Sequence, residues 1–66
     1  MPTIKITSTA MSSEKKAELI RRMTEVSMDV TGAPEQFHTV LIEELPADAM
    51  GVGRKSVAKI IEDMKQ

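Results

Sequence analysis

The sequence predicts an α+β domain: a β-α-β protomer with two parallel strands and a short C-terminal helix. Three observations predict it. Residues 2–9 alternate between apolar and polar side chains, residues 13–31 repeat apolar side chains at three- and four-residue steps, and residues 38–44 return to strand-like composition. Strand, long helix, strand is a unit whose crossover makes the strands parallel and right-handed. At 66 residues the chain is one domain, residues 1–66, near the size where a single core only marginally offsets the entropy of folding.

In the first strand Ile4 and Ile6 share one face, and Thr3, Lys5 and Thr7 the other. Pro2 heads this strand, where a residue without a backbone N–H is tolerated. Met11-Ser12-Ser13 breaks the alternation. Either serine can cap the helix that follows, and Glu14 then sits near the positive end of its dipole. Leu19, Ile20, Met23, Val26 and Val30 form the apolar stripe of that helix, opposite Lys15, Glu18, Arg22, Glu25 and Asp29. Glu18 and Arg22 are spaced as an i,i+4 ion pair. Gly32 is expected to end the helix as a left-handed cap, with Pro34 preventing its continuation.

The second strand is His38 to Glu44, and its apolar centre, Val40-Leu41-Ile42, predicts burial on both faces. Pro46 closes it. Met50-Gly51-Val52-Gly53 reads as a tight, flexible stretch, and residues 56–64 regain helical spacing through Val57, Ile60, Ile61 and Met64. This tail helix must bury its stripe on its own sheet or on a neighbour.

Composition narrows the classes. The chain has no cysteine, one aromatic residue, Phe37, and six methionines, so its core is aliphatic and soft and no disulfide supports it. A net charge of −1 from interspersed acids and bases gives no electrostatic case for nucleic acid or an anionic membrane. No apolar run approaches a transmembrane length, and the first residues alternate instead of forming a signal-peptide block. A soluble cytoplasmic protein is expected. Two strands and one helix leave a sheet face and edges uncovered, so further copies of the chain are expected to extend the sheet and cover it.

The chemistry centres on Pro2. Small residues after the initiator methionine favour its removal, which converts an inert tertiary amide into a secondary amine. Such an amine can act as nucleophile or general base if its pKa is brought toward neutrality.

The Met-Pro start, the alternating strand, the helix ending near Gly32-Ala33-Pro34, the strand Val40-Leu41-Ile42-Glu43-Glu44 and the Gly51-Val52-Gly53 stretch together resemble the 4-oxalocrotonate tautomerase family from Pro2 to about Ser56. No single motif is specific; their order and spacing are. The resemblance implies a β-α-β protomer that dimerises into a four-stranded sheet and commonly assembles as a hexamer, a trimer of dimers. It also implies a cofactor-independent isomerase whose N-terminal proline moves a proton between positions of an enol or unsaturated ketoacid. Pro2 matches that proline.

Other family positions differ. An arginine that binds a substrate carboxylate is replaced by Met11, after a one-residue shortening. An arginine that polarises the substrate carbonyl is replaced by Thr39. A pocket phenylalanine becomes Met50, and Arg54 stands where a further glycine is common. Two arginines would hold a dianion and lower the amine pKa. Without them, Met11, Met50 and Val52 can still lower it by desolvation, and the Thr39 hydroxyl can donate to an enolate oxygen, more weakly than a guanidinium. The expected substrate is therefore a small, less anionic enol or ketoacid-like carbonyl compound, with poor turnover of dicarboxylates. The alternative is a degenerate, non-catalytic member that acts as an oligomeric binding or assembly module. A family dehalogenase or hydratase would need a pocket acid to activate water, and Met50 and Val52 supply none.

Several residues carry less. His38, the only histidine, can be a general acid or an anion-binding group, or simply a packed or surface residue; alternation directs it and Thr39 to opposite faces. Arg54 follows the glycine stretch and is the better placed of the arginines to restore positive charge, while Arg21, Arg22 and Lys15-Lys16 read as solvated helix face. Gly51-Val52-Gly53 lacks the lysine and the strand-to-helix context of a phosphate loop. The methionines read as core and interface filler, not metal ligands. Glu43 and Glu44 point to opposite faces and do not form a carboxylate pair.

Overall fold

A computed structural model describes residues 1–65. Strand β1 spans Thr3–Ser8, helix α1 Ser13–Thr31 and strand β2 Thr39–Glu44. A hairpin of β3, Gly51–Val52, and β4, Lys55–Ser56, leads into helix α2, Val57–Met64. Two 3-10 turns, Glu35–Phe37 and Ala47–Ala49, flank β2. β1 and β2 pair in parallel from Thr3 opposite Thr39 to Ser8 opposite Glu44. The β-α-β expectation holds. Both strands begin one residue later than their sequence patterns because Pro2 has no N–H to bond across, so the ladder opens at Thr3 and Thr39.

Local chemistry accounts for the helix ends. Ser12 caps α1, its hydroxyl accepting from the Lys15 N–H at 3.2 Å. At the other end Gly32 takes φ 75° and donates its N–H to the Met28 carbonyl at 2.9 Å. Ser56 caps α2 in the same way, accepting from the Lys59 N–H at 3.1 Å.

Packing departs from the periodicity. The side of α1 turned to the sheet carries Lys16, Met23 and Ser27, and Ser27 is the one buried residue among those described. Val26 and Val30, expected in the core stripe, are exposed, and Ile20 is only partly covered. Leu41 is also half exposed, so the two-sided burial expected for β2 is absent within one protomer: α1 covers Val40 and Ile42 and leaves the other face open. Helix α2 does not settle on the sheet. It packs on the Ala47–Ala49 turn and the hairpin, leaving Ile61 and Met64 exposed.

No hydrophobic side chain among those described is fully buried, and the chain exposes 5151 Å². A folded monomer of this mass exposes about 4,200 Å². The radius of gyration, 15.1 Å, likewise exceeds the roughly 11 Å of a compact domain of this length. A lone protomer has a surface too large for its mass because it is elongated, 45 × 24 × 16 Å, and its apolar stripes lie on that surface.

The stretch expected to be flexible is a β-hairpin. Gly53 and Arg54 have φ 58° and 76°, so both central residues of the turn lie in the left-handed region, as the tight hairpin connection between Val52 and Lys55 requires. Gly53 is suited to this; Arg54 is strained. Arg54→Gly is expected to raise stability by about 1 kcal/mol, read as a higher urea midpoint at unchanged slope.

Candidate active site

Pro2 enters β1 beside the start of β2, and its carbonyl accepts the Thr39 N–H at 3.0 Å. That bond ties the main chain of Pro2 to the sheet while Met1 remains 92% exposed. With Met1 attached, the Pro2 nitrogen is an amide; without it, the nitrogen is an amine on an anchored strand end. Thr39 lies on the open sheet face with Leu41, whereas His38 falls on the side of Val40 and Ile42, under α1. Thr39 and His38 therefore face opposite ways, as alternation requires.

Met11 stands at the other end of the strands. Its N–H donates to Glu44 Oε2 at 2.8 Å, and Lys16 Nζ reaches Glu44 Oε1 at 2.8 Å. Glu44 thus joins the end of β2, the loop after β1 and the first turns of α1. The Lys16 ammonium and the Met11 N–H, in that order of influence, hold its carboxyl below the ordinary glutamate range. A depressed folded-state pKa contributes stability above the ordinary range, and this is lost as pH falls through the lowered value. Glu44→Gln is expected to flatten that acid limb of the unfolding profile, measured by thermal melts across the glutamate range; an unchanged limb would mean that the contact carries no linkage.

Two hollows lie at this end of the protomer. One, of about 290 Å³, is lined by Met11, Lys15, Glu18, Leu19 and Arg22; the other, of about 460 Å³, by Thr9, Ala10, Glu44, Leu45, Pro46 and Ala47. Neither is lined by Pro2. Strands of six residues separate Met11 from Pro2 by roughly 20 Å. Met50 is half buried where the Ala47–Ala49 turn meets the hairpin, its carbonyl accepting the Val57 N–H at 2.7 Å, and Arg54 is at the hairpin tip.

Within one protomer, then, the candidate residues occupy three places. Pro2 and Thr39 share the strand starts, Met11 the strand ends, and Met50 and Arg54 the hairpin. The helix arginines are engaged elsewhere: Arg22 pairs with Glu18 at 2.6 Å and Arg21 with Glu25 at 3.1 Å, all exposed. Glu43 bonds Thr7 at 3.3 Å and pairs with Lys5 at 3.6 Å, on the face opposite the Glu44 contacts. Among the described residues, no three His, Cys, Asp or Glu side chains are grouped as a metal ion requires. The role of Glu44 was missed from sequence; its only signal is Lys16, a lysine spaced to lie beside the apolar stripe.

Comparison with known proteins gives a consistent assignment. The family model described as "Tautomerase enzyme" matches residues 2–64. The "Probable tautomerase K2" of Dickeya dadantii (strain 3937) is 32% identical over 56 residues, covering 85% of this chain and 84% of that protein. Among solved structures, apo unFused 4-OT superposes with a TM-score of 0.80 at 38% identity, covering 85% of this chain and 98% of the other. The heterohexamer 4-oxalocrotonate tautomerase from Chloroflexus aurantiacus J-10-fl gives 0.85 at 30% identity, with 91% and 98% covered.

Proposed function

The chain belongs to the tautomerase family, and from that premise we propose that it isomerises a small enol or ketoacid-like compound with the Pro2 amine, freed by loss of Met1, as general base. The observation that carries this reading is the union of an anchored Pro2 main chain with a fully accessible Met1: the bond to the Thr39 N–H holds the amine in place while the residue to be trimmed lies in solvent.

The amine takes a proton from the enol hydroxyl or from the carbon next to the carbonyl and returns it to the other terminus of the conjugated system. No atom is gained or lost. The charge that develops on oxygen is met by the Thr39 hydroxyl. Desolvation by Met11, Met50 and Val52 would keep the amine largely unprotonated near neutrality. Since Pro2 and Met11 are separated within one protomer, this site is composite: the strand starts of one copy meet the Met11 loop and the hairpin of others. Arg54, at the tip of that hairpin, is the candidate to offer a cation to a substrate carboxylate.

Assembly follows from the same premise. A second copy extends the two-stranded sheet to four strands, and further copies, up to a hexamer, cover Leu41, Val26 and Val30. Support comes from the excess surface of the protomer and from the heterohexameric relative. A small-molecule substrate, no nucleic acid and no membrane complete the reading; no helix among the described residues is long and apolar enough to cross a membrane.

The deciding experiment follows ketonisation of phenylenolpyruvate by protein whose free Pro2 amine is verified by mass. Turnover above the buffer rate supports the proposal. Background rates from a correctly assembled oligomer would transfer the function to assembly or partner binding, as loss of the two familiar arginines permits.

A further inference from the structure

His38 is half buried, yet both ring nitrogens are shielded from solvent and neither has a hydrogen-bond partner. Buried polar atoms in native proteins are nearly always satisfied, so a histidine orphaned at both nitrogens calls for an explanation. Its shielding already exists within a single protomer. A partner supplied by the protomer itself is therefore the direct way to satisfy it.

Register identifies the candidate. Thr3 pairs with Thr39, so one step earlier Pro2 lies opposite His38, and alternation turns both toward the helix-covered face. In a parallel ladder the nitrogen and carbonyl of a residue point to the same neighbouring strand. The Pro2 carbonyl already bonds the Thr39 N–H, which directs the Pro2 nitrogen toward the Phe37–His38 segment. While Met1 is attached, that nitrogen is a tertiary amide with no N–H. Removal of Met1 creates the donor that His38 lacks.

We propose that His38 is a positioning residue for the Pro2 amine: one imidazole nitrogen accepts the amine N–H, which leaves the lone pair of the neutral amine directed away from His38, toward substrate. The proposal rests on the reading of Pro2 as base, but its central claim is a hydrogen bond that exists without substrate. The bond also adds to the Pro2–Thr39 hydrogen bond that ties the end of β1 to β2.

Because His38 is the only histidine, its two ring nitrogens can be followed without ambiguity by NMR of ¹⁵N-histidine-labelled protein. The spectra to compare are those of the Met1-free and Met1-bearing forms in the same assembled state. The expected result is a displacement confined to one ring nitrogen on loss of Met1, the Met1-bearing amide form serving as the reference. Identical ring resonances in the two forms would overturn the proposal and leave the Phe37 carbonyl as the acceptor of the amine proton. A kinetic arm separates positioning from packing. His38→Val is expected to lower kcat about tenfold, the equivalent of one hydrogen bond, with little change in KM, and His38→Gln to recover part of the loss. Wild-type kcat in an assembled His38→Val protein would also overturn it. A wild-type chain without turnover would end the tautomerase reading, and the NMR comparison would still decide the hydrogen bond.

Discussion

Protein that retains Met1 is expected to ketonise phenylenolpyruvate at the buffer rate, about 10²- to 10⁴-fold below protein with a free Pro2 amine, the range supplied by one positioned general base. The reason is electronic before it is structural. An amide nitrogen shares its lone pair with the neighbouring carbonyl and has no useful basicity, so one uncleaved peptide bond removes the base while the sheet is unchanged. Pro2→Ala, once trimmed, still ends in an amine, but a primary one on a residue without the ring that fixes φ. Its rate should fall at least about tenfold by the loss of fixed geometry, with the Thr39 bond to the residue 2 carbonyl preserved. The measurement is kcat/KM for the three proteins, each verified by mass and by assembly state. Equal rates in the free and Met1-bearing forms would remove Pro2 from the mechanism.

Leu41→Asp is expected to dissociate the assembly, destabilising the assembled state by on the order of 3 kcal/mol per copy. Leu41 is half exposed in the centre of β2, on the face that α1 does not cover, and Val26 and Val30 are exposed on the helix. In an assembly that covers them, an aspartate at position 41 is an unpaired charge beneath apolar surface. In a stable monomer the same aspartate would be solvated and nearly neutral in effect. Sedimentation should report loss of the oligomer, and thermal melts should show a Tm that rises with wild-type concentration, as linkage between folding and association requires. A monomeric wild-type chain with a concentration-independent Tm would refute the premise.

Much of the architecture is legible in the sequence because it depends on local chemistry. Helix α1 occupies residues 13–31 as its periodicity, serine cap and Gly32 predict, and β1 alternates as Ile4 and Ile6 require. Strand ends shift by one residue for a reason also visible in the sequence, the missing N–H of Pro2. The hairpin was harder to see. Its strands have only two residues each, and its turn carries Arg54 in a conformation that favours glycine or asparagine, so the usual turn signature is broken.

For the proposed site, the sequence by itself named the candidates: Pro2 as the prospective amine, with Met11, Thr39, Met50 and Arg54 at the positions where the family arginines, phenylalanine and glycine are expected. Pro2 and Met11 flank the same strand, so about 3.3 Å per extended residue already sets them roughly 20 Å apart. Only the tertiary structure decided which residues of β2 stand beside each of them, Thr39 at Pro2 and Glu44 at Met11, because that depends on how the chain returns through α1 into parallel register. The same holds for burial. Periodicity records that Val26 and Val30 are apolar on one side of a helix, but not which surface lies against that side, since the hydrophobic effect is non-directional and is satisfied equally by the chain's own sheet or by another copy. His38 is the clearest case: its residue type is visible in the sequence, but the isolation of both ring nitrogens opposite Pro2 arises only when β1 and β2 come into register.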